Sequence, residues 1–223
     1  MTKQTKSLKW LIYYLFFISS SYALNVDEVI NNLTESMKNK MNSFEADVEQ
    51  VICISDMEDP QKMKGNITFK KPGMMCLDYT EPNKQFVISD GKTIWIYFPA
   101  MRQVIVQDIS EVKNKEYFLF QFDLFIDSIK SRFETKLLKE EKMENKETVL
   151  VEFIPRDEHS EFSKISGLFD KEKWLPIHLS VYYNELSNIS ITFKNFKLNS
   201  EVKTDIFDFK IPEGVEVISS LLK

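Results

Sequence analysis

From Val26 onward the apolar residues recur at spacings of three and four. Val26, Val29, Ile30, Leu33, Met37 and Met41 line one face, and Asp27 and Glu28 sit in the first turn, which predicts an amphipathic helix. At Phe44 the period changes to two. Strands are predicted at 44–54, 63–71, 74–80, 85–89, 92–98 and 102–107, with turns marked by Asp59-Pro60, Pro72-Gly73, Glu81-Pro82-Asn83, Asp90-Gly91 and Pro99. Phe118, Phe122, Phe125, Ile126 and Ile129 return to helical spacing in a segment of about 116–130. Strands resume at about 132–139, 147–154, 162–170, 175–183 and 187–198, and a short Phe207-to-Pro212 tail closes the chain. Short connections and the lack of any linker favour one domain over two. The expected fold is mainly β within the α+β class: an unclosed, strongly curved antiparallel β-barrel of about eleven strands with two helical interruptions.

The alternation breaks down where it matters most. Thr93-Ile-Trp-Ile-Tyr-Phe98 is apolar on both faces, as are Met74, Met75 and Leu77, and Phe86, Val87 and Ile88, so both sides of these strands need a cover. One side suits the helices. The other needs a second cover or a ligand, and two readings stand open: a fully packed barrel core or an internal apolar cavity. The candidate lining is Val48, Ile67, Phe69, Met75, Leu77, Tyr79, Ile88, Trp95, Tyr97 and Val104, and the candidate covering residues are Val29, Ile30, Leu33, Met37, Phe118, Phe122 and Phe125. Ile67, Phe69 and Lys71 share one side of their strand, which points Lys71 inward at the strand end. There it either snorkels to water or hydrogen-bonds a carbonyl at a helix terminus and latches a lid.

The first 23 residues have a different character. Lys3, Lys6 and Lys9 precede an apolar run from Trp10 to Ile18, and Ser21-Tyr22-Ala23 supplies small residues at the end, the pattern of a cleavable secretory signal. The run is about half the roughly 20 apolar residues that a membrane span needs. With 1–23 removed, the domain at 24–223 carries a formal net charge of −8 instead of −5. No cysteine stands near Ala23, so a product free in solution is expected rather than one lipidated at its new N-terminus. An acidic chain without basic clusters argues against nucleic acid and against electrostatic docking on anionic lipid. Eighteen Phe, eight Tyr and nine Met make the apolar content soft and aromatic. Export would permit a disulfide between Cys53 and Cys76, but they fall on the first and third strands of a meander, roughly 9.6 Å apart. Disulfide Cα atoms rarely exceed about 7 Å, so free thiols are expected.

Catalytic signatures are missing. His159 and His178 are the only histidines, without cysteine or carboxylate at ligand spacing, and no Gly-x-Ser-x-Gly, phosphate loop or Gly-x-Gly-x-x-Gly occurs. Neither an enzyme, a metal site nor a cofactor is expected. Several segments then stop being generic: Phe44-Glu-Ala-Asp-Val-Glu-Gln50, Gly65-Asn-Ile-Thr-Phe-Lys-Lys-Pro-Gly73, Asp78-Tyr-Thr-Glu-Pro82, Val87-Ile-Ser-Asp-Gly-Lys-Thr-Ile-Trp-Ile-Tyr97 and Gln103-Val104, continued more weakly by Trp174-Leu-Pro176, Ile189 to Phe196, Phe207-Asp-Phe209 and Pro212-Glu-Gly-Val215. In order and spacing this resembles the outer-membrane lipoprotein carrier protein family, LolA, over essentially all of 24–223.

The resemblance implies a helical lid over an unclosed barrel, with the acyl chains of a lipoprotein between them. It implies a periplasmic monomer that receives acylated lipoproteins from an inner-membrane ABC transporter and passes them to an outer-membrane receptor. The family usually has Arg where Lys71 stands, and Gly73-Met-Met-Cys-Leu77 lacks the aromatic residues commonly found there. Ammonium offers three swivelling donors where guanidinium offers five fixed ones, so a Lys71 latch is expected to be weaker. A carrier of other lipids or glycolipids, or a lipoprotein-sensing module, stays open as an alternative. A sensor would usually bring an extra domain, and an anchored receptor a lipidated N-terminal cysteine.

Overall fold

The computed structural model describes residues 25–55, 57–109, 122–143, 145–183 and 186–219. The expected signal at 1–23 and Phe118 lie outside the described residues. Helix α1 spans Val26–Thr34, capped by Asn25, whose side-chain oxygen accepts a hydrogen bond from the Glu28 amide at 2.7 Å. It continues through a π-helical stretch, Glu35–Lys40, and the two together bury Val29, Ile30, Leu33 and Met37. Helix α2 spans Phe122–Arg132 and buries Phe125, Ile126 and Ile129.

The strands are β1 (Ser43–Cys53), β2 (Gln61–Lys70), β3 (Met74–Glu81), β4 (Gln85–Asp90), β5 (Thr93–Phe98), β6 (Gln103–Asp108), β7 (Phe133–Met143), β8 (Lys146–Pro155), β9 (Lys164–Asp170), β10 (Pro176–Tyr182), β11 (Asn188–Leu198) and β12 (Glu216–Ser219). They form one sheet in the order β12-β6-β5-β4-β3-β2-β1-β11-β10-β9-β8-β7. Its edges, β7 and β12, do not pair with each other, which leaves the barrel unclosed. The sheet has twelve strands among the described residues, in line with the about eleven expected. The additional one, β12, is parallel to β6, with Val217 opposite Val104. Glu-Val-Ile-Ser is too short for alternation to register as a strand.

Curvature comes from irregularities in pairing. Register shifts occur in β1 between Glu45 and Asp47, in β2 between Lys64 and Gly65, and in β7 between Leu137 and Lys139, and bulges of this kind bend and twist a strand. At the β2 irregularity only glycine fits, because a Cβ on Gly65 would stand 2.0 Å from the Asp78 carbonyl oxygen. The edge β7 carries three Lys and three Glu between Glu134 and Lys142, and charges on an edge strand discourage pairing with another chain.

The concave face holds the main core, to which α1, α2 and the inward residues of most strands contribute. The convex face of β3 to β6 is covered by the chain's own C-terminal segment. A 3-10 turn at Thr204–Phe207 lies against β3 and β4, with Phe207 only 1% exposed. Phe209 packs on Trp95 and Tyr97, with ring centroids 6.2 and 5.4 Å apart. The Lys70 ammonium donates to the Val202 carbonyl at 3.2 Å. The two covers that the two-faced strands demand are thus the core with the helices on one side and the tail on the other.

Because Phe207 is held only by burial, Phe207→Ala should cost about 3–5 kcal/mol. Urea unfolding followed by circular dichroism would register this as a lower midpoint with unchanged slope.

Candidate functional site

Strand pairing fixes which side chains meet on the concave face. Leu77 stands opposite Ile67 and Val87, and Val87 opposite Ile96. Met75 stands opposite Phe69, and Tyr79 opposite Gln85. Together with Phe44, Ile52 and Met63 these residues wall one side of an apolar pocket of about 390 Å³. The facing wall is Ile165 of β9, Leu179 of β10, and Ile189, Ile191 and Phe193 of β11, and Phe125 of α2 closes over it. Of β1, Phe44 lines one end of the pocket and Gln50 and Ile52 the other, with Phe44 and Ile52 eight strand steps, about 26 Å, apart.

Five of the expected lining residues, Ile67, Phe69, Met75, Leu77 and Tyr79, stand on this wall. Val48 is on the correct face, opposite Gly65 and Phe193, but is 1% exposed within the packed core and does not reach the pocket. Ile88, Trp95, Tyr97 and Val104 are corrected to the opposite, convex face. Ile88 pairs with Trp95 and Val104 with Tyr97, and the Phe209 ring of the tail lies on Trp95 and Tyr97. The reason is parity: where both alternating sets are apolar, the sequence leaves the inward set undetermined. Val87, Ile96 and Phe98 take the inward positions instead. Only the register to Leu77, whose neighbours are more clearly patterned, identifies them.

The helices behave as a cover over one end. Val29, Ile30, Leu33 and Met37 are almost wholly buried in the core beside the pocket, and of the two helices only α2 supplies a wall residue, Phe125. Phe122 opens α2. Polar contacts at the margin hold the cover in place. Lys38 pairs with Asp127 at 2.7 Å, the Lys130 ammonium donates to Asn31 Oδ1 at 2.7 Å, and the Ser36 hydroxyl donates to the Lys173 carbonyl at 2.6 Å. The Lys38–Asp127 pair is about half exposed and contributes little.

Lys71 is the most pointed of these contacts. It follows β2 directly, and its ammonium donates to the carbonyls of Met37 and Lys38 at 2.7 and 2.8 Å. Carbonyls in the last turn of a helix lack intrahelical partners and carry the negative end of its dipole. A cation there both satisfies and neutralises them. Of the two roles open to Lys71 from sequence, the geometry matches the contact at a helix terminus.

Polar groups inside the pocket are few. The buried Tyr79 hydroxyl donates to Gln50 Oε1, and burial pushes the phenol well above its usual range, so it stays a neutral donor. Behind the wall, Cys76 faces the convex side, and burial, helped by the Asp78 carboxylate, pushes its thiol up to about 11. Both cysteines are free, on strands separated by β2. His178 lies outside the pocket. Its ring contacts Thr192 Oγ1 at 2.8 Å and Ser180 Oγ at 3.0 Å, and burial lowers its pKa.

Residues 39–210 match the family model described as outer membrane lipoprotein carrier protein LolA. The chain belongs to this family. An outer-membrane lipoprotein carrier protein of Francisella philomiragia is 29% identical over 96% of this chain and 97% of its own length. An uncharacterized protein of Methanocaldococcus jannaschii is 28% identical over 95% of this chain, which spans only 59% of that protein. A crystal structure of an uncharacterized conserved protein from Thermus thermophilus superposes with a TM-score of 0.56 at 9% identity, covering 86% of this chain and 98% of that one, and so shares the fold. LolA proteins are carriers of lipoproteins, and the chain is accordingly a carrier-family protein and no enzyme.

Two measurements test this description of the pocket. Ile96→Asn should weaken binding of an apolar, environment-sensitive dye about tenfold, in line with the roughly 1–3 kcal/mol cost of an unsatisfied polar group, whereas Tyr97→Asn on the convex face should leave it nearly unchanged. In a Cys53→Ser protein, the ultraviolet thiolate absorbance of Cys76 should titrate near 11. Because the folded state holds this proton more tightly than the unfolded chain, its stabilising effect is complete below about 9 and is lost as pH rises to about 11.

Proposed function

We propose that this protein is a periplasmic shuttle that takes acylated lipoproteins from an inner-membrane ABC transporter and delivers them to an outer-membrane receptor. The observation that carries the proposal is an apolar pocket beside a helical cover that joins buried apolar residues to polar contacts at its margin. A single long acyl chain represents roughly 12 kcal/mol against water, at about 0.8 kcal/mol per methylene, so unaided passage through an aqueous compartment is negligible. Binding must nonetheless stop short of a trap. A pocket of Met, Ile and Phe, partly filled by its own Phe125, suits an intermediate affinity.

Further support comes from the end of the pocket marked by Ile52, Phe98 and Tyr183. Exposed Ile54 and Met57 after β1, Met101 after β5 and Leu186 after β10 stand on the turns at that same end of the sheet. An apolar rim suits the handover of acyl chains between protein sites without exposing them to water. The reading of 1–23 as an export signal goes with the same compartment.

Mass spectrometry of material copurified from the periplasm should find acylated peptides; free lipids in their place would replace the lipoprotein assignment. In a Cys53→Ser/Cys76→Ser background, joining Ser36→Cys to Lys173→Cys with a short bismaleimide should abolish cargo uptake, and uptake at the normal rate would remove the lid from the mechanism. Lys71→Ala removes a charged hydrogen-bond donor of about 1.5–3 kcal/mol and should raise amide hydrogen exchange in α1 by about tenfold or more. Lys71→Arg should slow that exchange below the parent rate.

A further inference from the structure

The pocket has a polar belt. Among the described residues, none of those lining it is Lys, Arg, His, Asp or Glu. Its polar side chains are the amides of Gln50, Gln61 and Gln85 and the hydroxyls of Tyr79 and Tyr183. They gather toward one end. Gln85 is directly opposite Tyr79 across the β3–β4 pair, Gln61 is opposite Ile52, and Tyr183 follows β10 on the same side. The other end of the pocket, at Phe44, Phe69 and Met75, is purely apolar.

The donors are also oriented. With the Tyr79 hydroxyl donating to Gln50 Oε1, the Gln50 NH2 group is directed away from that bond. Within the described residues the side chains of Gln61 and Gln85 make no hydrogen bond to protein. The phenol, kept protonated by burial, fixes this arrangement across the working pH range. Such a belt offers N–H donors to a neutral acceptor. Gln61 and Tyr183 stand exposed at the mouth, whereas Gln50 and Gln85 are half-buried beside the buried Tyr79, so a carboxylate or phosphate drawn down to Tyr79 would lose part of its hydration without finding a counter-charge among the described lining residues.

We infer that Gln50 and Gln85, positioned with Tyr79, form a carbonyl-recognising subsite that selects acyl chains joined through neutral ester or amide linkages and rejects free fatty acids. The chain then lies with its carbonyl at the belt and its methyl end toward Phe44 and Phe69. This rests on the acyl-carrier reading and deepens it, since it names the linkage by which cargo is told from the fatty acids and anionic headgroups of the same compartment.

The test compares methyl palmitate, palmitate and hexadecane as competitors of an apolar dye bound to the full chain at neutral pH. The ester should compete about tenfold better than hexadecane, the scale of two neutral hydrogen bonds, and palmitate should be the weakest of the three. Gln50→Leu with Gln85→Leu should erase the ester's advantage over hexadecane, read as the ratio of the two competition constants within the same variant, and Tyr79→Phe alone should reduce that ratio. Equal competition by ester and hexadecane in the parent overturns the subsite, as does an unchanged ester advantage in the double variant. Failure of all three ligands to displace the dye would instead overturn the acyl-carrier reading itself, and the two failures are therefore distinct.

Discussion

Strands β3 to β5 are apolar on both faces, and water cannot be left against either. Most of the architecture follows from that requirement. Burial of apolar area at roughly 25 cal/mol per Å² is the main favourable term in folding, and a sheet exposing two such faces would aggregate before it folded. The convex face is covered permanently, by a tail that anchors Phe207 and Phe209 and then adds β12 to the edge of β6. The concave face is covered in part by core, in part by helices and in part by nothing but a cavity. The two covers are held differently.

That difference lies in the contacts. The tail is fixed by aromatic burial and a strand pairing, both lost only on unfolding. The helical cover buries Val29, Ile30, Leu33, Met37, Phe125, Ile126 and Ile129 and is tied besides, at its margin, by the Lys71 ammonium on the Met37 and Lys38 carbonyls, the Ser36 hydroxyl on the Lys173 carbonyl and the half-exposed Lys38–Asp127 pair. Water can replace each of these partners at small net cost. The two helices are also tied to each other, through Lys38–Asp127 and Lys130–Asn31.

Much of this is legible in the residues themselves. Ile67 and Phe69 alternate with Asn66 and Thr68, which fixes their face without knowledge of any neighbour, and by the same count Lys71 reaches the lid side. Asp90-Gly91 marks the β4–β5 hairpin, and the period change at Phe44 marks the passage from α1 to β1. The inward set on β5 is not legible. Trp95 and Tyr97 look like better cavity residues than Ile94 and Ile96, being larger, but a partner 114 and 112 residues away, Phe209, claims them. The glutamines of the belt were equally hidden. Gln50, Gln61 and Gln85 carry no local signal of a role in the pocket, and only pairing puts them on the wall with Tyr79. Such assignments depend on long-range register, which local periodicity does not carry.

The lid also bears on how tightly such a pocket can hold cargo. Val29, Ile30, Leu33 and Met37 are buried when the pocket is closed, so moving α1 away without replacement would expose them at about 1.5–3 kcal/mol each. An entering acyl chain takes over the surfaces those residues leave. Its binding free energy is therefore the difference between two burials, not the full transfer of the chain from water. Exchange of this kind keeps affinity below the limit at which non-covalent complexes become effectively permanent. The polar contacts at the margin, the Lys71 ammonium on the Met37 and Lys38 carbonyls among them, are the part of the cover's hold that water can replace without disturbing the apolar wall.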